Sequence, residues 1–290
     1  MFVISVPYFD IDQTYMLYGN QLNWLKVSPK NYIVVCGDKV VGVSQQGPGD
    51  MDNTRDRLMF HCSEEDFFDV WFDYFDFRTD YQDLFKKNEK LGKRKFQSSG
   101  IHLVNRPLVE SLVCSFLAHK FSDFDCRSFA EKHGVKHKNS FRSLGTQTWY
   151  EFPDVETLKT IFRNDKEILD FLESIEWLEQ ITDYSSRDMF EFLEDMDFDN
   201  DLIQKLMLFG YHRFDVFPRD DFLDVYLSEE YQVSRKDTTI RKRDSKGYLW
   251  LLLQFEMSFP GYDSLRWNLG LTAMREGKIS EKEFEYEYCK

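Results

Sequence analysis

Leu208-Phe209-Gly210-Tyr211-His212-Arg213-Phe214-Asp215-Val216-Phe217-Pro218-Arg219-Asp220 is the most informative stretch of the chain. Leu208 and Phe209 close an apolar, helix-spaced run that starts near Asp201, and Gly210 ends it. Pro218 cannot continue a helix from upstream but suits the start of a new one. Asp220 follows it at the expected N-terminus of a helix over residues 219–227, where an aspartate is also a good N-cap. The segment therefore reads as helix, short connection and a second helix with a carboxylate at its head.

Upstream, the first 63 residues read as β structure. Residues 2–9, 21–26, 32–36, 39–44 and 57–62 are short β-branched or aromatic runs separated by turn residues such as Gly37-Asp38 and Gly47-Pro48-Gly49. The character changes at Ser63-Glu64-Glu65-Asp66, an N-cap with acids in the first turn. From there helices are expected at residues 106–119, 123–133, 155–162, 166–177, 186–195, 201–209, 219–227, 248–258 and 280–288. An antiparallel sheet followed by a mostly helical domain is an α+β protein. We place the division at residues 1–105, the sheet with the first helices, and 106–290, the helical part.

The composition narrows the partners. With 28 Phe, 15 Tyr and 6 Trp, the chain can fill a large core and is unsuited to disorder. Its longest apolar run, Tyr248 to Phe255, is too short to cross a bilayer, and no signal peptide is expected at Met1-Phe2-Val3-Ile4-Ser5-Val6. Five cysteines without a CxxC argue for reduced thiols in the cytoplasm rather than a disulfide framework or zinc site. Net charge is −14, from 37 basic and 51 acidic residues, which removes long-range attraction to nucleic acid. Basic residues still cluster at 86–95, 135–142 and 235–246. They read either as solvated loops or as a discontinuous phosphate-contacting surface.

Three stretches in order carry a family resemblance. The first is Tyr8-Phe9-Asp10-Ile11-Asp12-Gln13-Thr14 with Tyr18-Gly19-Asn20-Gln21-Leu22-Asn23-Trp24. The second is Cys62-Ser63-Glu64-Glu65-Asp66-Phe67, running on to Tyr74-Phe75-Asp76-Phe77-Arg78-Thr79-Asp80-Tyr81. The third is the segment from Leu208 to Asp220, with a weaker echo at Tyr150-Glu151-Phe152-Pro153-Asp154. Together they resemble the 8-oxoguanine DNA glycosylase family. The resemblance implies a small antiparallel sheet packed on a helix-hairpin-helix domain, and a flipped, damaged base as substrate. It also implies an aspartate that stabilises the oxocarbenium-like state, and in bifunctional members a lysine that forms a Schiff base.

Carried over residue by residue, much of the family's machinery is missing. Asp220 matches the catalytic aspartate, and Gly19 the glycine whose carbonyl reads the lesion. The hairpin Gly-x-Gly-Pro-Lys falls on Asp197-Phe198-Asp199-Asn200-Asp201, so Asp201 replaces the nucleophilic lysine and Lys205 lies four residues on. Aspartates at this hairpin repel a phosphodiester and adopt positive φ less cheaply than glycine. The asparagine-rich wedge falls near Phe116-Leu117-Ala118-His119, and the base-reading Gln and Phe fall near Trp250 and Gln254.

The candidate site residues are therefore Asp220 as the catalytic carboxylate and Gly19, Trp250, Gln254 and Lys205 for substrate. His119, Arg241, Lys242 and Arg243 are the candidates for nucleic-acid contact. Asp197, Asp199 and Asp201 alternate like Ca²⁺ ligands, but position 12 of such a loop is Leu208, so they read as an acidic helix start. His119 and His212 read as isolated, and neither metal nor cofactor is expected. Two functions remain open. One is a monofunctional N-glycosidase, without lyase activity, releasing a modified base from DNA or a nucleotide. The other is an inactive pseudo-glycosylase that binds a protein or nucleic acid.

Overall fold

A computed structural model describes residues 1–18, 21–46, 57–89, 100–218, 221–234, 240 and 245–257. The N-terminal sheet is antiparallel, in the order β1-β5-β4-β3-β2. Its strands are β1 (Phe2–Ser5), β2 (Trp24–Ser28), β3 (Asn31–Cys36), β4 (Lys39–Gln46) and β5 (Arg57–Phe60). β3 and β4 form the expected hairpin at Gly37-Asp38, with Cys36 opposite Lys39 and Gly37 at φ +57°.

Not all of the first 63 residues are β structure. A helix, α1 (Ile11–Tyr18), lies between β1 and β2, and the strand expected over residues 2–9 stops at Ser5. Ile11, Thr14 and Tyr18 are buried on one face of α1, and Asp10 Oδ1 caps it by accepting from Gln13 N.

The helical part follows the sequence closely. Ser63 caps α2 (Glu64–Asp66), which runs through a π turn at Phe67–Trp71 into α3 (Phe72–Tyr74). Then come α4 (Tyr81–Glu89), which the apolar spacing does not reveal, α5 (Leu108–Lys120) and α6 (Cys126–His133). A second, two-stranded sheet interrupts the helices: β6 (Lys136–Phe141) and β7 (Gly145–Tyr150). It is followed by α7 (Val155–Ile161), α8 (Lys166–Gln180), α9 (Ser186–Asp195) and α10 (Asn200–Lys205). α10 continues into a π turn at Leu206–Gly210, and α11 (Asp221–Tyr231) and α12 (Lys246–Met257) complete the described chain. The helix expected over 280–288 lies outside the described residues. No helix among them is long and apolar enough to cross a membrane.

One aromatic-rich core joins the sheet to the helices. Trp24, Tyr32, Phe60, Phe67, Trp71, Tyr74 and Phe75 lie in the same buried cluster as Leu112, Phe171, Leu206 and Tyr248. Cys114 and Cys126 lie in this core as free thiols with their sulfurs 3.4 Å apart.

Candidate functional site

Pairs of residues one helical turn apart line a single cavity of about 240 Å³. α1 and the chain after it contribute Leu17 and Gln21, and α5 contributes Ser115, Ala118 and His119. Lys205 and Phe209 come from α10 and its π turn, and Trp250 and Gln254 from α12. The π turn packs tightly on α5: a Cβ at Gly210 would lie 2.7 Å from Leu112 Cδ2. Glycine there lets the two walls approach, and π turns of this kind often mark functional sites.

The lining combines stacking surfaces with polar atoms that lack partners. Phe209 and Trp250 meet edge to face, with ring centroids 5.9 Å apart. Ser115 Oγ and Trp250 Nε1 are both buried and have no hydrogen-bond partner among the described residues. An orphaned buried donor costs on the order of 1–3 kcal/mol, so such groups normally have a ligand or water to satisfy them. A cavity of about 150 Å³ can hold a benzene ring; at about 240 Å³ this one has room for a fused two-ring heterocycle.

Buried Arg106, which the sequence reading passed over, ties two walls of the cavity together. Its Nη1 donates to Gln21 O at 2.6 Å and its Nη2 to Ser111 Oγ at 3.3 Å. Ser111 Oγ in turn donates to Phe209 O at 2.6 Å. Glu110 is buried close enough to feel the guanidinium. Burial pushes its carboxyl up to about 7, against the downward pull of Arg106.

At one edge of the cavity lies the helical hairpin between α9 and α10. Asp197, at a position the resemblance assigns to glycine, has φ +64°. Asp199 caps α10 by accepting from Leu202 N at 2.9 Å. His119 is not isolated. Its Nε2 lies 2.8 Å from Asp199 Oδ2 and its Nδ1 3.4 Å from Asp201 Oδ2. Lys205 Nζ donates to Asp201 Oδ2 at 2.7 Å. The hydrogen bond to Asp201 raises the His119 pKa above the usual imidazole value; burial opposes this and Asp199 adds to it. Burial disfavours the Asp201 carboxylate, but His119 and Lys205 outweigh it and hold its pKa below the ordinary value. The three potential ligand atoms of His119, Asp199 and Asp201 lie within 4.8 Å of one another, close enough for a cation. The Lys205 ammonium already supplies positive charge there.

Of the sequence candidates, Lys205, His119, Trp250 and Gln254 all line the one cavity. Gly19, Asp220, Arg241, Lys242 and Arg243 lie outside the described residues. His212 stands apart, facing Val104 O at 3.2 Å.

Residues 1–112 match the family model of the 8-oxoguanine DNA glycosylase N-terminal domain. Over this stretch the chain is similar to that domain. Solved structures extend the likeness to the whole fold. MBOgg1 in complex with a low-affinity DNA ligand is 21% identical, with a TM-score of 0.68 over 89% of this chain and 96% of that one. The Clostridium acetobutylicum 8-oxoguanine glycosylase/lyase in its apo form is 21% identical, with a TM-score of 0.69 over 87% and 95%. The 3-methyladenine DNA glycosylase of Archaeoglobus fulgidus is 12% identical, with a TM-score of 0.60 over 91% and 99%. At these identities the likeness establishes a DNA-glycosylase-like α+β fold. A comparison with curated protein sequences gives no match.

Proposed function

We propose that this chain is an N-glycosidase that takes a modified base into the cavity lined by Phe209 and Trp250 and releases it by hydrolysis, without lyase chemistry. The observation that carries this reading is a cavity of two-ring size whose wall includes Ser115 and Trp250, residues whose Oγ and Nε1 have no partner among the described residues. A heterocycle with carbonyl or ring-nitrogen acceptors would satisfy both, with its faces against aromatic surface. Asp220, the residue that matches the family aspartate, is the proposed stabiliser of the sugar cation while water attacks. Lys205 is proposed to bind substrate as an ammonium held by Asp201, rather than to attack the sugar.

The test is a panel of modified-base oligonucleotides and free modified nucleosides, with released base measured by mass spectrometry. Asp220→Asn should slow release by about 10²–10³-fold, the scale of losing one transition-state electrostatic partner. Borohydride should trap no protein adduct. Unchanged release by Asp220→Asn, or a covalent adduct at Lys205, would contradict the mechanism.

A second reading is a binding protein that keeps the cavity without the chemistry. The acidic hairpin favours it, because Asp197, Asp199 and Asp201 stand where the family's phosphate-binding glycines and lysine would be. It requires base binding with no release from any member of the panel.

A further inference from the structure

The segment from Lys132 to Tyr150 contains no aspartate or glutamate, in a chain where 51 of 290 residues are acidic. It carries Lys132, Lys136, Lys138 and Arg142, all exposed. None of these four forms an ion pair among the described residues. Several cations elsewhere have acidic partners: Lys26 with Asp12, Lys30 with Asp10, Lys120 with Asp165 and Glu167, Arg187 with Glu191.

The β6–β7 hairpin sorts these residues by face. Pairing sets Lys136 opposite Tyr150, Lys138 opposite Thr148 and Ser140 opposite Thr146. Strand alternation puts all six on one face. The other face is occupied. There Phe141, with Leu144 from the turn, packs on Ile33, His137 stacks on Trp149 and pairs with Glu151, and Trp149 Nε1 donates to Asn139. The first face thus presents two ammonium groups and a row of hydroxyls, with Arg142 at the tip. Lysines and hydroxyl side chains are the groups that contact phosphate and sugar in nucleic-acid complexes. The foot of the hairpin adjoins the cavity, because Asn23 Nδ2 donates to Tyr150 O at 2.8 Å. Gln21, two residues earlier, lines the cavity wall.

We propose that this face of the β6–β7 hairpin binds the phosphodiester backbone of a nucleic acid and holds it beside the cavity. It would do what the acidic α9–α10 hairpin cannot. The location beside a base pocket rests on the proposed function; the backbone binding does not.

The experiment is fluorescence anisotropy of labelled single-stranded and duplex oligonucleotides with the full chain, as a function of salt. It compares wild type, Lys136→Glu/Lys138→Glu/Arg142→Glu, and the neutral Lys136→Gln/Lys138→Gln/Arg142→Gln. Since each phosphate contact contributes roughly 0.7–0.9 to the slope of log K against log salt, both variants should lower that slope by about 2. Affinity at low salt should fall at least tenfold, with thermal unfolding unchanged. Equal slopes and affinities for all three proteins would overturn the proposal. So would polyglutamate competing as well as oligonucleotide, which would assign the face to an acidic protein partner. Hairpin-dependent binding without base release would defeat the glycosidase reading alone. Release from free nucleosides with no hairpin-dependent binding would defeat this one alone.

Discussion

Arg106→Met should lower the free energy of unfolding by about 3–5 kcal/mol, the usual result of removing one partner from a buried charged network. The guanidinium is almost fully buried, donates to Gln21 O and Ser111 Oγ, and is the countercharge acting on buried Glu110. Methionine fills much of the volume but leaves the Gln21 carbonyl without its donor and the Glu110 carboxyl without its cation. Urea unfolding at pH 7 measures the loss. Adding Glu110→Gln should restore part of it, since the stranded carboxyl is then gone. A loss under about 1 kcal/mol, within the ordinary range for surface changes, would mean that Arg106 does not hold the walls together.

The second large effect depends on pH. The Glu110 carboxyl is raised to about 7 from 4.5 by burial, with Arg106 pulling the other way. A raised carboxyl keeps its proton in the folded state after the unfolded chain has lost it. The penalty is therefore absent below about pH 4.5, grows between there and about 7, and is complete above that. The gap corresponds to roughly 3 kcal/mol. Glutamine at 110 cannot ionise, so the stability gained by Glu110→Gln should be roughly 3 kcal/mol larger at pH 8 than at pH 4.5. Comparing urea unfolding of the two proteins at both pH values removes the general repulsion among the chain's other acids. An equal difference at the two pH values would show that Glu110 is not a strained carboxyl.

The sequence reveals much of the fold because its local signals agree with the packing. Ser63, Asp154 and Ser185 cap helices where the sequence expects helices to begin, and Gly37 takes the positive φ that its hairpin turn needs. α1 is hidden because residues 11–18 mix polar and aromatic side chains with only a few buried positions, Ile11, Thr14 and Tyr18. β6 is hidden because Lys136-His137-Lys138-Asn139-Ser140 has no β-branched residue. It is held by its register with β7 and by Phe141 packing on Ile33.

The cavity is legible only in part. Lys205, His119, Trp250 and Gln254 could be picked out because they lie at or near positions to which the family pattern assigns a role. Ser115 and Arg106 could not, because their importance lies in long-range geometry. Ser115 is exceptional for the partner it lacks, and Arg106 for bridging Gln21 and, through Ser111, Phe209. The partnership of His119 with Asp199 and Asp201 spans 80 residues of sequence and is equally invisible to spacing.

The most direct test of the account is calorimetric titration of the full chain with free modified purines and pyrimidines, comparing wild type with Ser115→Ala/Trp250→Phe. That variant removes both unpartnered donors while keeping an aromatic ring at 250. The account predicts saturable binding of at least one base by wild type, and affinity about 10- to 100-fold weaker in the variant, the scale of one to two lost hydrogen bonds. Undetectable binding of every base by wild type, or equal affinity in the two proteins, would contradict it.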